Sequence, residues 1–222
     1  MNQATKSQRS REQVLEAALQ LFSTQGYRAT SVREIAERAG VSTGNVYHHF
    51  PDKEAIFRIL LDQYWSAIES PDFPFNRALA SGTFPDNLEE LGRASRASVS
   101  GYRRHVALIY VDVVEFEGSH IRKFYSEMAR RFDRFMVAHH VAEARDHRLR
   151  AGVSPLSAVM LAGRFFLTYF AVEILFGVPN HFGKNTEEVI AEIADILRHG
   201  MLRHDGSART RPDRRRPRKA PS

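Results

Sequence analysis

Residues 30–53 read TSVREIAERAGVSTGNVYHHFPDK, and the fold of the chain follows from how this string divides into helices. Ser31 precedes an apolar-periodic run and Glu34 stands three residues on. This is the capping-box pattern: the hydroxyl takes the amide of the third helical residue and the carboxylate reaches back. Val32, Ile35, Ala36 and Ala39 supply one buried stripe, and Gly40 ends the helix. Val41 is the single apolar residue of the tight turn Gly40-Val41, placed to plug the gap between two helices. Ser42 caps a second, short helix, which stops before Pro51 because a residue preceding proline is pushed out of the α region. Val46 and Phe50, four apart, face inward with Ile35 and Ala36. The outer face keeps Thr43, Gly44, Asn45, Tyr47, His48 and His49: small or polar groups at the tip, then hydrogen-bonding aromatics. A short helix with an unobstructed polar tip fits a major groove about 12 Å wide, so the string predicts a helix-turn-helix.

Working outward, helical periodicity continues in both directions and no convincing strand alternation appears. Val14, Ala18, Leu21 and Phe22 form one stripe on a helix over about 10–25, closed by Gly26 as a left-handed cap. Asp52 caps a further helix over about 53–68, with Phe57, Leu60, Leu61, Tyr64 and Ile68 on one face. Residues 70–86, with three prolines, are expected to be a connection. Helical patterns follow at roughly 86–100, 102–117, 119–148, 154–177 and 186–203, the fourth opened by Ser154-Pro155 as cap and first helical residue. The expected fold is all-α, an N-terminal three-helix unit over 1–52 and a larger helical domain over 53–204. Residues 205–222, nearly devoid of apolar side chains, are expected to be a basic disordered tail. Residues 156–178 are apolar nearly all round and reach the ~20 residues a bilayer crossing needs. Arg164 and Glu173 inside the segment favour a helix buried between others or in a subunit interface, and no membrane association is expected.

The 222 residues contain no cysteine, which excludes a disulfide framework, a thiolate nucleophile and a cysteine-based metal site. With a polar N-terminus lacking an apolar signal core, this fits a cytoplasmic protein. The net charge of +6 looks like a nucleic-acid signal, but residues 203–222 hold eight Lys or Arg against two Asp, which leaves 1–202 formally neutral. Global basicity is therefore no argument for DNA binding by the folded body. No Gly-rich phosphate loop, H-E-x-x-H or nucleophile-elbow pattern occurs; no enzyme activity, catalytic residue, cofactor or metal site is expected. His48 and His49 diverge by about 100° on a helix and cannot share an ion.

The strings T-S-V-R-E-I-A, A-G-V-S-x-G-x-V-Y-x-H-F and the following D-K-E resemble the N-terminal domain of the tetracycline-repressor (TetR) family. The resemblance covers residues 10–57; beyond it only the layout matches, further helices and then an apolar penultimate one. It implies a homodimeric transcriptional repressor, released from a near-palindromic double-stranded DNA operator by a small-molecule effector, with the last two helices forming the dimer seam. The apolar residues of the penultimate helix (Met160, Leu161, Phe165, Leu167, Phe170, Ile174, Leu175) exceed what one face needs, which is compatible with such a seam. A helix-turn-helix used for protein contacts, or as a nucleoid binder without a ligand, is the competing class.

Roles follow from chemistry together with that resemblance. Ser31 and Ser42 offer hydroxyls and free amides to phosphate oxygens, although each would cap its helix without DNA. Tyr47, His49 and Lys53 are expected backbone clamps, Tyr47 being alternatively part of the core. Asn45 suits an adenine edge, Arg33 a guanine, and Gly44 permits close approach; Thr43 and His48 complete the expected surface. On the ligand side, Tyr102, Tyr110, Phe124, Phe132, Phe166 and Tyr169 are either plain core or pocket wall. Asp112, Glu115 and Glu173, like Arg164, are either ion-paired structurally or line a polar end of the pocket, where unpaired carboxylates would favour a cationic ligand. The helix over about 53–68 joins the two domains and is the expected lever between ligand and DNA.

Overall fold

The computed structural model describes residues 3–81, 84–138 and 149–201. Among them lie ten α-helices: α1 (Gln3–Gln25), α2 (Val32–Ala39), α3 (Thr43–His49), α4 (Lys53–Glu69), α5 (Pro74–Ala80), α6 (Leu88–Gly101), α7 (Arg103–Glu115), α8 (Ile121–Ala138), α9 (Pro155–Leu175) and α10 (Thr186–Met201). The fold is all-α, as the periodicity requires.

Two differences from the sequence reading have simple causes. The first helix begins well before residue 10, because the polar run over residues 5–9 holds no breaker and Gln8 donates to Glu12 at i,i+4. The expected connection over 70–86 contains α5, where Pro74 takes the first helical position and starts a helix instead of breaking one. Phe75, Ala78 and Leu79 bury its inner face. The last ten residues of the helix expected at 119–148 and the basic tail 205–222 fall outside the described residues.

Two apolar clusters organise the molecule. One joins α1, α2 and α3 through Val14, Ala18, Phe22, Ile35, Val46 and Phe50, and continues without a break into Ile56, Phe57 and Leu60 of α4, Leu108 of α7 and Phe124 of α8. The other gathers α5, α6, α9 and α10 around Leu88, Leu91, Phe166, Phe170, Ile190 and Ala194. Packing therefore does not change hands at the start of α4: its first turns belong to the core of the N-terminal unit.

α9 is, by length and composition, a helix able to cross a membrane. Here it packs against α6, α7, α8 and α10. Gly92 on α6 lies so close that an added Cβ would meet the Phe166 ring at 2.9 Å, and Gly163 on α9 likewise meets Phe75 at 2.9 Å. Leu161 and Phe165, 53% and 47% exposed, are left on the outer side of α9, as is Ile196, 65% exposed, on α10.

Candidate nucleic-acid interface and interior cavity

The helix-turn-helix is held by its caps. Ser31 Oγ accepts from the Glu34 amide at 3.2 Å while Glu34 Oε2 accepts from the Ser31 hydroxyl and from the Ser31 amide, each at 2.7 Å; the hydroxyl's bond first, then the amide's, holds the Glu34 carboxyl below its ordinary pKa. Gly40 adopts φ 68° and donates to the carbonyls of Ala36 and Glu37, turning the chain at the one point where a left-handed residue is required. Ser42 Oγ accepts from Asn45 N at 3.1 Å, and Asp52 Oδ1 from Ala55 N at 2.6 Å. Val46 and Phe50 are buried and Val41 packs partly buried against the same core.

What this frame presents to solvent is Ser31, Arg33, Ser42, Thr43, Gly44, Tyr47 and His48, all exposed. Arg33 pairs along its own helix with Glu37 at 2.8 Å. Asn45 is half-buried and its Oδ1 is enclosed without a partner, so pairing with an adenine requires the side chain to turn outward. His49 turns toward α1, its Nε2 2.8 Å from Ser10 Oγ; burial, then the neighbouring His48 and Arg11, push its pKa down.

Lys53 is placed differently from expectation. Its ammonium points into the protein, donating to the carbonyls of Tyr27 at 2.7 Å and Thr30 at 2.6 Å, and stands 4.0 Å over the Tyr27 ring. Desolvation lowers its pKa, against the pull of Glu115 and Glu34. The side chain braces the α1–α2 turn and is not free to clamp a phosphate. Its position at the start of α4 was legible; its direction depends on Tyr27, which no local pattern reveals.

The same turn receives α7. Glu115 Oε1 accepts from the Tyr27 amide at 3.0 Å and Oε2 from the Arg28 amide at 2.6 Å, while Arg28 Nη2 donates to the Glu115 carbonyl at 3.1 Å. Gly26, at φ 88°, leaves the room: a Cβ there would meet Glu115 Oε1 at 2.5 Å. One turn earlier Asp112, fully buried, accepts from Ile121 N at 3.2 Å and lies 2.6 Å from His120 Nδ1; His120 Nε2 is 3.4 Å from Glu54 on α4.

A cavity of about 210 Å³ lies between α4, α7, α8 and α9, walled by Trp65, Ile109, Phe124, Met128, Met160 and Leu167 among others, with a second of about 360 Å³ beside it toward Arg131 and Arg134. Of the residues weighed for a ligand wall, Tyr110, Phe124, Phe132 and Arg164 line the inner cavity, whereas Tyr102, Asp112, Glu115, Phe166, Tyr169 and Glu173 do not. Glu115 meets the N-terminal unit instead and Asp112 the start of α8, since helical spacing gives a shared face but not the neighbour it meets. Phe166 is core between α6, α9 and α10. Glu173 pairs with Arg96 at 3.3 Å; Tyr169, stacked on His181 at 4.3 Å, sits beside it, and burial raises its pKa, with a further push from Glu173. Asp112 and Glu115 are thus engaged elsewhere, and Glu173, off the cavity wall, is paired through Oε1 while its Oε2 is buried without a partner. Trp65, Ile109 and Met128 escape a sequence reading of the wall, because an apolar residue facing a void has the same pattern as one facing a neighbour.

Residues 14–60 match the family model of bacterial regulatory proteins, tetR family. The chain is 33% identical over 102 residues to the uncharacterized HTH-type transcriptional regulator YuxN of Bacillus subtilis, covering 46% of this chain and 30% of that one. It is 29% identical over 160 residues to the HTH-type transcriptional repressor KstR2 of Rhodococcus jostii, covering 70% of this chain and 73% of that one. The chain thus spans well under half of the first relative's length. Among solved structures, NalD, the secondary repressor of the MexAB-OprM multidrug efflux pump in Pseudomonas aeruginosa, superposes with a TM-score of 0.61 at 22% identity, over 90% of this chain and all of that one. At that identity the likeness is one of fold.

Proposed function

We propose that this chain, which belongs to the TetR family of bacterial regulatory proteins, is a homodimeric transcriptional repressor of the cytoplasm, released from a near-palindromic operator by a small molecule in the α4–α7–α8–α9 cavity. The observation that carries the reading is the tip of α3: capped by Ser42, backed by the buried Val46 and Phe50, and presenting Ser42, Thr43, Gly44, Tyr47 and His48 to solvent with nothing bulky in front. That shape suits a major groove, with hydroxyls and amides at helix N-termini meeting phosphates and Arg33 meeting a base edge. The chain is a regulator, not an enzyme; the relatives named above are regulators, two of them repressors.

The dimer is supported by the outward apolar residues Leu161 and Phe165 on α9 and Ile196 on α10, which a second copy would cover. Two-fold symmetry then places two recognition helices in successive major grooves about 34 Å apart. Release is a population shift: a ligand that prefers a dimer with altered spacing of its DNA-binding units must weaken operator binding by the same coupling energy. We place the domain boundary inside α4, whose first turns pack with α1–α3 and whose later residues Trp65 and Ile68 line the cavity.

A gel shift with the DNA upstream of the protein's own gene tests the function. Sharp, salt-tolerant binding to a near-palindrome is expected. Graded binding to any sequence would mean an architectural role, and a light-scattering mass of one chain at micromolar concentration would remove the dimer.

A further inference from the structure

We infer that the cavity takes an amphipathic anion: an elongated apolar body carrying one negatively charged head, received by Arg164. The assignment rests on the cavity being the effector site proposed above, and adds the charge of its ligand.

The polar groups on the wall decide the sign. Among the described residues no Asp or Glu lines the inner cavity, and Arg164 is the one lining residue with a formal charge. Arg164 has no carboxylate within ion-pairing reach among the described residues; its guanidinium stands 5.7 Å over the Tyr125 ring. By contrast, Arg96 on α6 pairs with Glu173, Arg131 on α8 with Glu69 and Glu127, and Arg198 on α10 with Glu89. Asn76, the wall's amide, already commits its nitrogen to the carbonyls of Ile68 at 2.6 Å and Ser70 at 2.9 Å. A guanidinium resting on an aromatic face keeps its edge free, and that edge presents parallel N–H donors matched to a planar oxyanion.

Placement sets the shape of the ligand. Met160, Arg164 and Thr168 follow one another at i, i+4 and i+8 along α9, with Leu167 between them on the same wall. Arg164 is exposed, whereas Phe124 and Val159 deeper in are buried. The charged head would therefore stay at the cavity mouth, on the flank of α9 beside Leu161 and Phe165, while the tail replaces water against Trp65, Phe124 and Met128, which is how a site with one charge and apolar walls gains both affinity and orientation. A cationic head would meet an uncompensated guanidinium, and a neutral one would leave its donors unused.

Trp65 is the sole tryptophan of the chain and lines the cavity, stacked on Phe124 at 3.9 Å, so its fluorescence reports occupancy directly. The full-length protein is titrated with decanoate, decanol and decylamine, and with the acid, alcohol and amine of the 6-phenylhexyl skeleton. In at least one series the acid should bind about tenfold or more tightly than the alcohol, and the amine weakest. Arg164→Gln should remove the acid's advantage and leave the alcohol's affinity within about twofold, with Arg164→Lys recovering part of it. Equal binding of acid, alcohol and amine in both series, retention of the acid's advantage by Arg164→Gln, or no response to any of the six overturns the inference. If the acid binds with its charge preference but leaves operator binding in the gel shift unchanged, the ligand class stands and the effector reading falls.

Discussion

Replacing Glu115 by Ala tests how the larger domain holds the DNA-binding unit, because two contacts between the same helices differ sharply in expected worth. Glu115 takes two backbone amides of the α1–α2 turn. The Tyr27 amide is part-buried and, once the carboxylate is gone, finds no replacement; hydrogen bonds to charged groups are worth about 1.5–3 kcal/mol. The Arg28 amide is exposed and water takes over, so its loss costs nearer 0.5–1 kcal/mol. The sum is about 2–4 kcal/mol. The Arg104–Glu16 ion pair also ties α7 to α1, at 2.5 Å, but its side chains are 48% and 64% exposed, which puts it at about 0–1 kcal/mol. At about 2–4 °C per kcal/mol for a chain of this size, Glu115→Ala should lower Tm by about 5–15 °C and Glu16→Ala by at most about 4 °C. Hydrogen exchange reads the same contact locally: protection of the Tyr27 amide should fall at least ~30-fold in Glu115→Ala, since tenfold corresponds to about 1.4 kcal/mol. Equal Tm shifts for the two variants, or unchanged protection at Tyr27, would refute the reasoning.

Four further outcomes are expected. Gly26→Ala should destabilise by about 1–2 kcal/mol from its left-handed backbone alone and by more from the 2.5 Å approach of Glu115 Oε1; in the Glu115→Ala background the second part should vanish, which a double-mutant melting cycle measures. Ser42→Ala should cost about 1 kcal/mol of stability through its cap and Ser42→Gly only a few tenths, whereas both should weaken operator binding alike if the hydroxyl meets a phosphate. Burial holds the His105 pKa below its ordinary value, Arg104 adding to the effect and Glu16 opposing it. The stability His105 contributes is thus present above the unfolded-state value of about 6.5 and lost as pH falls through the depressed folded-state value; His105→Asn should flatten that part of a Tm-against-pH curve below 6.5. Deleting residues 205–222 should reduce the slope of log binding constant against log salt, by about 0.9 for each phosphate that the tail neutralises, and leave sequence preference intact in a competition gel shift.

How much of this was legible in the sequence depended on how local the cause was. The caps at Ser31, Ser42 and Asp52, the helix end at Gly40 and the buried Ile35, Val46 and Phe50 are fixed by neighbours within four residues, and the structure reproduces each. The outward set Thr43, Gly44, Tyr47 and His48 follows from the same local periodicity. Lys53, Glu115 and Asp112 were visible as charges in apolar or capping contexts, but their partners lie 26, 88 and 8 residues away for Tyr27, Tyr27 and His120. A single sequence carries no record of that pairing. The cavity was least legible, since a void is made by what several helices fail to fill. Arg164 was legible in part: as a charge interrupting an apolar helix it was expected either in an ion pair or at a polar end of the pocket, and it lines the cavity. What it meets there, the Tyr125 ring and solvent, the sequence did not indicate.

These placements also move the lever between the two sites. α4 is covalently continuous with the DNA-binding unit, and the sequence alone makes it the natural transmitter. Yet Val106, Ile109 and Tyr110 on the cavity wall and Glu115 at the turn of the DNA-binding unit all stand on α7. At 1.5 Å rise per residue, Tyr110 and Glu115 are separated by about 7.5 Å along one rigid helix. α4 carries Trp65 and Ile68 at the cavity and Lys53 at the turn, more than twice that distance apart by the same rise. The two helices converge on Tyr27, whose amide is held from α7 and whose carbonyl is held from α4. A ligand that shifts either wall therefore pulls on one residue at the end of α1, and the shorter path runs through α7.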